Sequence, residues 1–462
     1  MMLEMKNVCF KYADSDEGVE NINLTVKKGE CVVLTGPSGG GKSTLTRLIN
    51  GIAPSHFGGI LSGKITINGC DMSQTAQWKR GQTVGSVFQD PKSQFFSGEL
   101  VGEVAFACEN YGLPHDEIVL RTDRAINAFG LEYLRKSPLD LLASGEKQRT
   151  AIASVYTLSS EIYVCDEPTA NLDDKGAAEL AKTFAELKAK GYTLIIAEHR
   201  LAWLAGIADR LVYVKGGKIL WERNAYEIAE FSESEHREYG LRSAVPVSVP
   251  ILPTPVGNET PCIAANNISC KRSRKVILDN VTFKAWQGQV IAITGRNGIG
   301  KTTFAHITSG LQKESGGIIA IDGKKTPRRR RGKDIWYGSN DTSTQFFTNS
   351  VSEELLLRSD RSEKTLERVR NILKQLGLYT YKDAHPAILS GGQKQRLSIA
   401  CGILSERKIL IFDEPTSGLD GENMRIIAFV LKTAAQQGKT VLIITHDNEL
   451  IKECCDYRFH LG

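Results

Sequence analysis

The sequence has no long hydrophobic run and little net charge of either sign. No stretch approaches the roughly 18 apolar residues that a membrane-spanning helix needs, so any action on a membrane is expected to go through a partner protein. The first residues, MMLEMKNVCFKY, lack the basic start and apolar stretch of a signal peptide. The net charge of +5 neither requires nor excludes contact with nucleic acid or anionic lipid.

The ten cysteines contain no CxxC pair and no other paired metal-ligand spacing. Cys31 and Cys165 lie inside apolar runs, ECVVLT and IYVCDE. This pattern favours buried thiols in a reducing cytoplasm over a disulfide or zinc framework. At 462 residues the chain exceeds one ordinary core, so we expect two or three domains.

An internal repeat decides the domain count. GPSGGGKST returns as GRNGIGKTT at an offset of 259 residues, and VCDEPTANLD returns as IFDEPTSGLD at an offset of 247. Between the copies, residues 245–261 contain five prolines, which is typical of a stiff linker. The predicted organisation is therefore a first domain over 1–239, a linker over 240–260 and a second domain over 261–462.

Each copy contains short apolar segments that predict buried strands. VVLT, IYVCD and TLIIAE occur in the first copy, and VIAIT, ILIFD and VLIIT occur in the second. Continuous apolar strands of this kind suit a parallel sheet that is covered on both faces, so we expect an α/β core.

Each copy also has a glycine-rich loop of the form G-x-x-x-x-G-K-[ST] directly after a strand. Such a loop turns backbone N–H groups towards phosphates, while its lysine (Lys42, Lys301) binds the β- and γ-phosphates and its hydroxyl (Ser43, Thr302) ligates Mg²⁺. One match alone could be a glycine-rich turn, but two matches at corresponding positions predict two ATP sites. The predicted phosphate-binding residues are Gly36, Pro37, Ser38, Gly39, Gly40, Gly41, Lys42, Ser43 and Thr44, and Gly295, Arg296, Asn297, Gly298, Ile299, Gly300, Lys301, Thr302 and Thr303.

An acidic pair ends one apolar strand in each copy. Acidic pairs at strand ends are commonly only solvated, but these two lie downstream of the phosphate loops and are repeated. We therefore predict that Asp166 and Asp413 bind Mg²⁺, and that Glu167 and Glu414 accept a proton from the water that attacks the γ-phosphate.

The segment LSGGQKQR, ahead of DEPTSGLD, resembles the signature of the ATP-binding-cassette (ABC) family, and the similarity covers nearly the whole chain. The resemblance implies two tandem P-loop NTPase domains, each with a mainly parallel sheet, an antiparallel β subdomain and a helical signature subdomain. It further implies that the two cassettes pair head to tail, so that each ATP lies between one phosphate loop and the other signature. The signature residues that we expect to meet ATP are Ser390, Gly391, Gly392, Gln393, Ser144 and Gly145.

The resemblance assigns roles to four further residues. His199 and His446 match the switch histidines that contact the γ-phosphate, and Gln89 matches the Q-loop glutamine, which links Mg²⁺ and the attacking water to a membrane partner. Tyr12 matches the aromatic residue that stacks on adenine. The alternatives are structural histidines and a tyrosine on a strand face.

FQDPKSQFF resembles a segment of energy-coupling factor (ECF) transporters, as do AEHRL and SGEKQR. This implies a peripheral ATPase at the cytoplasmic face of the cell membrane, working with a transmembrane coupling protein and a substrate-binding membrane protein to import vitamins or transition-metal ions, and no nucleic-acid partner. The alternatives are a duplicated sugar-import ATPase, a soluble ABC protein of translation or DNA repair, and a nucleotide-binding scaffold. The short proline-rich linker and the retained glutamates argue against the last two.

The copies differ at family positions. Ala143 and Glu146 replace Ser390 and Gln393 in the first signature, Asn340 replaces Gln89, and Arg272 replaces Tyr12; these departures fall together in one predicted composite site. We expect that site to turn ATP over slowly while the other drives transport. The basic run PRRRRGK is typical of a solvated face, with contact to lipid headgroups as the alternative.

Overall fold

The computed structural model describes residues 1–170, 172–249, 260–272, 275–342, 344–357 and 359–462. The chain divides into two compact units, Met1–Pro246 and Val247–Gly462. Of the predicted linker, residues 250–259 lie outside the described part. Leu241 and Arg242 are buried, and Ala244 packs against a core of the first unit.

The first unit contains strands and helices in alternation. Its strands are β1 (Leu3–Tyr12), β2 (Gly18–Val26), β3 (Cys31–Thr35), β4 (Gly59–Ile67), β5 (Cys70–Asp71), β6 (Val84–Val87), β7 (Ile162–Asp166), β8 (Thr193–Ala197), β9 (Arg210–Lys215) and β10 (Lys218–Asn224). Its helices are α1 (Lys42–Asn50), α2 (Ile52–Ser55), α3 (Gln77–Thr83), α4 (Leu100–Asn110), α5 (His115–Ala128), α6 (Ser144–Tyr156), α7 (Asp174–Ala189), α8 (Ala225–Ala229) and α9 (Glu233–Glu238).

Two sheets organise the first unit. One is antiparallel in the order β2-β1-β4-β5, and the other runs β10-β9-β3-β8-β7-β6 with parallel pairing from β9 to β6. Successive side chains of β3 enter different cores: Cys31 and Val33 pack into one, and Val32 and Leu34 into the other. The strand is thus buried on both faces, which explains its continuous apolar sequence. Helices α4, α5 and α6 pack against one another, and their buried residues share one core with β3.

The second unit repeats this plan. Its strands are β11 (Ile263–Arg272), β12 (Lys275–Ala285), β13 (Val290–Thr294), β14 (Gly316–Ile321), β15 (Lys324–Lys325), β16 (Ile335–Gly338), β17 (Ile409–Asp413), β18 (Thr440–Ile444) and β19 (Tyr457–His460). Its helices are α10 (Lys301–Ser309), α11 (Arg328–Arg331), α12 (Val351–Leu355), α13 (Glu363–Gln375), α14 (Gly391–Leu404), α15 (Gly421–Gln436) and α16 (Asn448–Cys454).

The second unit also has an antiparallel sheet, β12-β11-β14-β15, and a parallel sheet, β16-β17-β18-β13-β19. Strand β17 again alternates between two cores, with Leu410 and Phe412 in one and Ile409 and Ile411 in the other. The predicted fold class, two tandem α/β P-loop domains with parallel and antiparallel sheets and helices, is confirmed. Among the described helices, none combines the length and the apolar character needed to cross a bilayer.

The basic run on α11 is only partly a solvated face. Residues 328–330 are exposed, but Arg331 is 2% exposed and donates to Ile307 O at 2.8 Å and to Glu314 Oε1 at 2.7 Å. Arg331 therefore satisfies a carbonyl near the C-terminus of α10, and its charge is unavailable to a lipid headgroup. Buried Arg80 occupies the corresponding position in the first unit.

Candidate functional site

Each phosphate loop folds around its own lysine. Gly36 has φ 134°, and a Cβ there would lie 2.1 Å from Val214 O, so only glycine suits this turn. Lys42 begins α1 and donates from Nζ to Gly36 O at 3.0 Å and to Pro37 O at 2.9 Å. Lys301 makes the same contacts in the second unit, to Gly295 O at 2.8 Å and Arg296 O at 3.0 Å. Both ammonium groups are thus held inside the loops, where phosphate oxygens are expected to become acceptors.

A hydroxyl and a carboxylate meet beside each loop. Ser43 Oγ donates to Asp166 Oδ1 at 3.2 Å, and Thr302 Oγ1 donates to Asp413 Oδ2 at 2.7 Å. Such hard oxygen ligands fit Mg²⁺, which is typically held by one or two protein oxygens together with phosphates and water. Burial, and then the neighbouring Glu167, raise the pKa of Asp166 to about 6. A bound cation would stabilise the ionised form that burial penalises.

The predicted general bases occupy a strained backbone conformation. Glu167 and Glu414 have φ 44° and 49°, in the left-handed region that non-glycine residues rarely adopt. The backbone is held there because Glu167 N donates to Ala197 O at 2.8 Å, and Glu414 N donates to Ile444 O at 2.9 Å. The backbone of each glutamate is thereby bound to the strand that precedes the predicted switch histidine of the same unit.

In the first unit the structure brings together the predicted Q-loop glutamine, the predicted general base and the predicted switch histidine. Gln89 Nε2 donates to Glu167 Oε2 at 2.7 Å. His199 Nε2 lies 3.4 Å from Glu167 Oε1, and the histidine side chain is 4% exposed. The two oxygens of one carboxylate therefore face the two residues that the family resemblance places around the attacking water.

The second unit arranges its counterpart differently. His446 Nε2 lies 3.6 Å from Glu414 Oε1 and only 2.9 Å from Oδ1 of Asn297, a residue of the phosphate loop. Thr445 Oγ1 lies 3.4 Å from Glu414 Oε2. Asn340 follows β16 as Gln89 follows β6, but its side chain is one methylene shorter.

Sequence reasoning missed a polar relay behind Asp413. Tyr337 OH donates to Asp413 Oδ2 at 3.3 Å, and His306 Nε2 lies 3.1 Å from the same hydroxyl. Burial lowers the pKa of His306 and raises that of Tyr337. The sequence carries no signal for this contact beyond the tyrosine itself, because the pairing of β16 with β17 is seen only in the structure.

Tyr12 lies beside the phosphate-loop helix. Its hydroxyl is 3.2 Å from Thr44 Oγ1 and accepts a hydrogen bond from Arg47 Nη1 at 3.1 Å. Phe57 stands edge-on to the ring at a centroid distance of 6.4 Å. Tyr12 is therefore close to the first loop, while its stacking on adenine stays a prediction. Arg272 ends β11 as Tyr12 ends β1.

The two signature helices begin with different caps. Ser390 caps α14: Gln393 N donates to its Oγ at 3.4 Å, and Ser390 N donates to Gln393 Oε1 at 2.8 Å. In α6, Ala143 has no hydroxyl, and its N–H donates to Glu146 Oε2 at 2.7 Å. The remaining predicted signature residues, Ser144, Gly145, Gly391 and Gly392, lie in the first turns of these helices.

Comparison with known proteins assigns the chain to a family. The model of the ABC transporter family matches residues 19–170 and 278–417. A "Putative ABC transporter ATP-binding protein" of Treponema denticola is 38% identical, over 98% of this chain and 94% of its own length. A "Putative HMP/thiamine import ATP-binding protein" of Bacillus subtilis is 29% identical, over 98% of this chain and 87% of its own.

The solved structure of ribosome-bound archaeal Pelota and ABCE1 aligns with 98% of this chain and covers 76% of the matched chain, with a TM-score of 0.69. At 21% identity it shows the shared fold alone. The family match and the relative that is 38% identical establish the family and the activity: this chain belongs to the ABC transporter ATP-binding proteins, and its two cassettes are ATPase domains.

Proposed function

We propose that this chain is the ATP-hydrolysing subunit of an ECF-type importer, acting at the cytoplasmic face of the cell membrane with separate membrane subunits. The observation that carries the proposal is the loop of Gln89. This loop binds the predicted catalytic Glu167 at one end and presents an exposed aromatic residue, Phe96, at the other. A partner that binds Phe96 would thus be coupled to Glu167, the predicted general base of ATP hydrolysis.

The loop between these ends is firmly held. Gln94 folds back along the strand, accepting from Phe88 N at 3.1 Å and donating to Ser86 O at 3.2 Å. Buried Glu103 accepts from Phe96 N at 2.8 Å. A displacement of Phe96 by a partner would therefore be transmitted along the loop rather than absorbed by a loose chain.

Phe96 belongs to an apolar surface that recurs in both units. Phe96 is 75% exposed and Leu141 is 76% exposed, and the hydrogen bond from Leu139 N to Gly98 O holds their two segments side by side. Phe347 and Ile388, at the corresponding positions of the second unit, are 81% and 74% exposed. Large exposed apolar residues at matching positions favour a protein partner that contacts each cassette.

The chemistry at the first site follows from its contacts. Glu167 accepts the proton of the attacking water, while Gln89 and His199 fix the position of that carboxylate. Lys42 neutralises phosphate charge, and bound Mg²⁺ supplies Lewis-acid stabilisation of the transferred phosphoryl group.

The transported substrate is proposed to be a vitamin or a transition-metal ion. The relative named for HMP/thiamine import supports the vitamin class. A duplicated sugar-import ATPase is the alternative importer, and a soluble ABC protein of translation or repair is the alternative outside transport. The head-to-tail pairing that the resemblance implies stays a prediction.

Affinity purification from native membranes tests the proposal. The full chain is expected to recover at least one integral membrane protein. Phe96→Asp should lose that partner and keep the chain's own ATPase activity, because Phe96 touches no predicted catalytic group. Tyr226→Asp is the matched control, since Tyr226 is 68% exposed in the same unit but lies on α8. Recovery of ribosomes or DNA without a membrane protein would refute the importer assignment.

A further inference from the structure

The residues on either side of the switch histidine differ between the two units. The first unit reads Glu198-His199-Arg200, whereas the second reads Thr445-His446-Asp447. Both triplets directly follow a central strand, β8 or β18. A carboxylate therefore precedes the histidine in one unit and follows it in the other.

In the first unit the carboxylate of Glu198 is an internal acceptor. Glu198 is 2% exposed, and its Oε1 accepts from the backbone N–H of His199 at 2.8 Å and of Arg200 at 3.0 Å. Its Oε2 accepts from Thr169 Oγ1 at 2.7 Å and from Trp203 Nε1 at 3.3 Å. Four donors around one buried carboxyl group fix its position and, through two of them, the backbone of the histidine loop.

The second unit makes the equivalent contacts from the other side of its histidine. Thr416 corresponds to Thr169 in the repeated DEPT motif, and its Oγ1 donates to Asp447 Oδ2 at 2.7 Å. Asp447 N donates to Thr445 Oγ1 at 3.0 Å, just as Arg200 N donates to Glu198. The acceptor for the threonine has moved by two residues, while the contact itself is kept.

Because the acceptor for the DEPT threonine precedes the histidine in the first unit, the position after the histidine can be occupied by an arginine, Arg200. Arg200 Nη1 donates to Leu172 O at 3.1 Å, and Nη2 lies 3.5 Å from Asp174 Oδ1. Both partners lie just after the DEPT motif that contains Glu167. The histidine loop of the first unit is thus tied to the segment of the catalytic glutamate at two points, Thr169 through Glu198 and Leu172 through Arg200.

We propose that Glu198 is the positioning residue of the first ATP site: it holds His199 against Glu167, and it accepts from the DEPT threonine as Asp447 does in the second unit. Glu198 acts through the loop backbone and through Thr169. The proposal rests on the ATPase activity of the family and is independent of the import function.

The chain supplies its own rescue experiment. Glu414→Gln is introduced first, so that turnover reports the first site. In that background Glu198→Thr removes the acceptor of Thr169, and we expect kcat to fall by about 10- to 100-fold, the scale of a small misplacement of a catalytic group. The Kd for ATP is expected to stay within about threefold, since the phosphate loop is untouched.

Adding Arg200→Asp to Glu198→Thr recreates the Thr-His-Asp triplet of the second unit. The double variant is expected to recover kcat to within about threefold of the background, because the new carboxylate can accept from Thr169. Arg200→Asp alone is the control and should show no gain. A general loss of packing at Glu198 would not be repaired by replacing Arg200, whose half-buried side chain contacts Leu172 O and Asp174 and makes no contact with the Glu198 carboxylate other than through its backbone N–H.

Two results would overturn the proposal: undiminished kcat in Glu198→Thr, or a double variant no faster than the single one. If thermal unfolding shows that Glu198→Thr does not fold, Glu198→Gln replaces it. The amide keeps an acceptor for the two backbone N–H groups but turns an NH₂ towards Trp203 Nε1–H. That variant should lower kcat and regain it when Trp203→Phe removes the opposing donor, and failure of either change would equally count against the role.

Discussion

Replacing Glu167 by glutamine should separate ATP binding from ATP cleavage. The amide has the same shape, and its oxygen can accept from Gln89 Nε2, which now donates to Glu167 Oε2 at 2.7 Å. Its NH₂ then faces His199 Nε2, which is 3.4 Å from the other oxygen. The site is expected to stay assembled, and the only loss is a group that can take a proton from water.

The expected size of this effect follows from the loss of a general base, about 10²- to 10⁴-fold in kcat. On the transition-state scale this is about 3–5.5 kcal/mol of barrier. The ground-state affinity for ATP should change little, because the phosphates are bound by the loop of Lys42 and not by Glu167.

The assay is steady-state phosphate release from the purified full chain with Mg²⁺, with Glu414→Gln present in every sample. Retained nucleotide is measured in parallel by filter binding of labelled ATP. Glu238→Gln is the matched control, because Glu238 is exposed on α9 and remote in sequence from the motifs. Near-parental turnover by Glu167→Gln would mean that another group is the base.

Three further outcomes are expected. Lys42→Ala should abolish substrate uptake in cells while Lys301→Ala only weakens it at equal expression; equal losses would refute unequal sites. Tyr337→Phe removes the hydrogen bond to Asp413 and should raise the Mg²⁺ concentration needed for nucleotide binding to the second unit by about threefold to tenfold. The measurement is a Mg²⁺ titration of a chain in which Lys42→Ala disables the first phosphate loop. The pKa of Asp166 is about 6 against an ordinary 3.8, so its contribution to the free energy of unfolding is present below about pH 4 and is lost as pH rises through 6. Mg²⁺ affinity should change in the opposite direction and fall as pH falls below 6, because the carboxyl group becomes protonated. Asp166→Asn should flatten both pH profiles.

The sequence was sufficient to predict those site residues whose positions depend only on the strand or helix in which they lie. A strand followed by a glycine-rich loop puts Lys42 and Ser43 at a helix N-terminus whatever the rest of the fold does. Asp166 ends β7, which lies in the same sheet as β3 with β8 between them, and parallel strands share one carboxyl edge, so the contact between Ser43 and Asp166 was implicit in the motifs. The fold class followed from the same strand pattern.

Partners that depend on packing between distant elements could not be predicted. Nothing adjacent in sequence to Tyr337 indicates that its hydroxyl meets Asp413, 76 residues later. Four consecutive arginines look alike in sequence, and only the seating of α11 against α10 selects Arg331 for burial. In the sequence Glu198 is only the neighbour of a histidine, because two of its four hydrogen-bond donors, Thr169 and Trp203, are brought to it by the fold.

The structure changes the physical basis of the expected inequality between the sites. Replacing the serine by Ala143 removes the acceptor that Ser390 Oγ offers to Gln393 N, and only the other half of the cap is kept. Glu146 Oε2 accepts from Ala143 N as Gln393 Oε1 accepts from Ser390 N, and Glu146 Oε1 accepts from Tyr133 OH at 2.9 Å. The retained contact places the Glu146 carboxylate at the positive end of α6, where it already interacts with the helix dipole that would otherwise favour a bound anion. Ser390 and Gln393 cap α14 with neutral groups, so the field at that helix start stays available. The altered signature is therefore expected to bind a phosphate more weakly because it carries its own negative charge, and restoring the serine alone would not correct it.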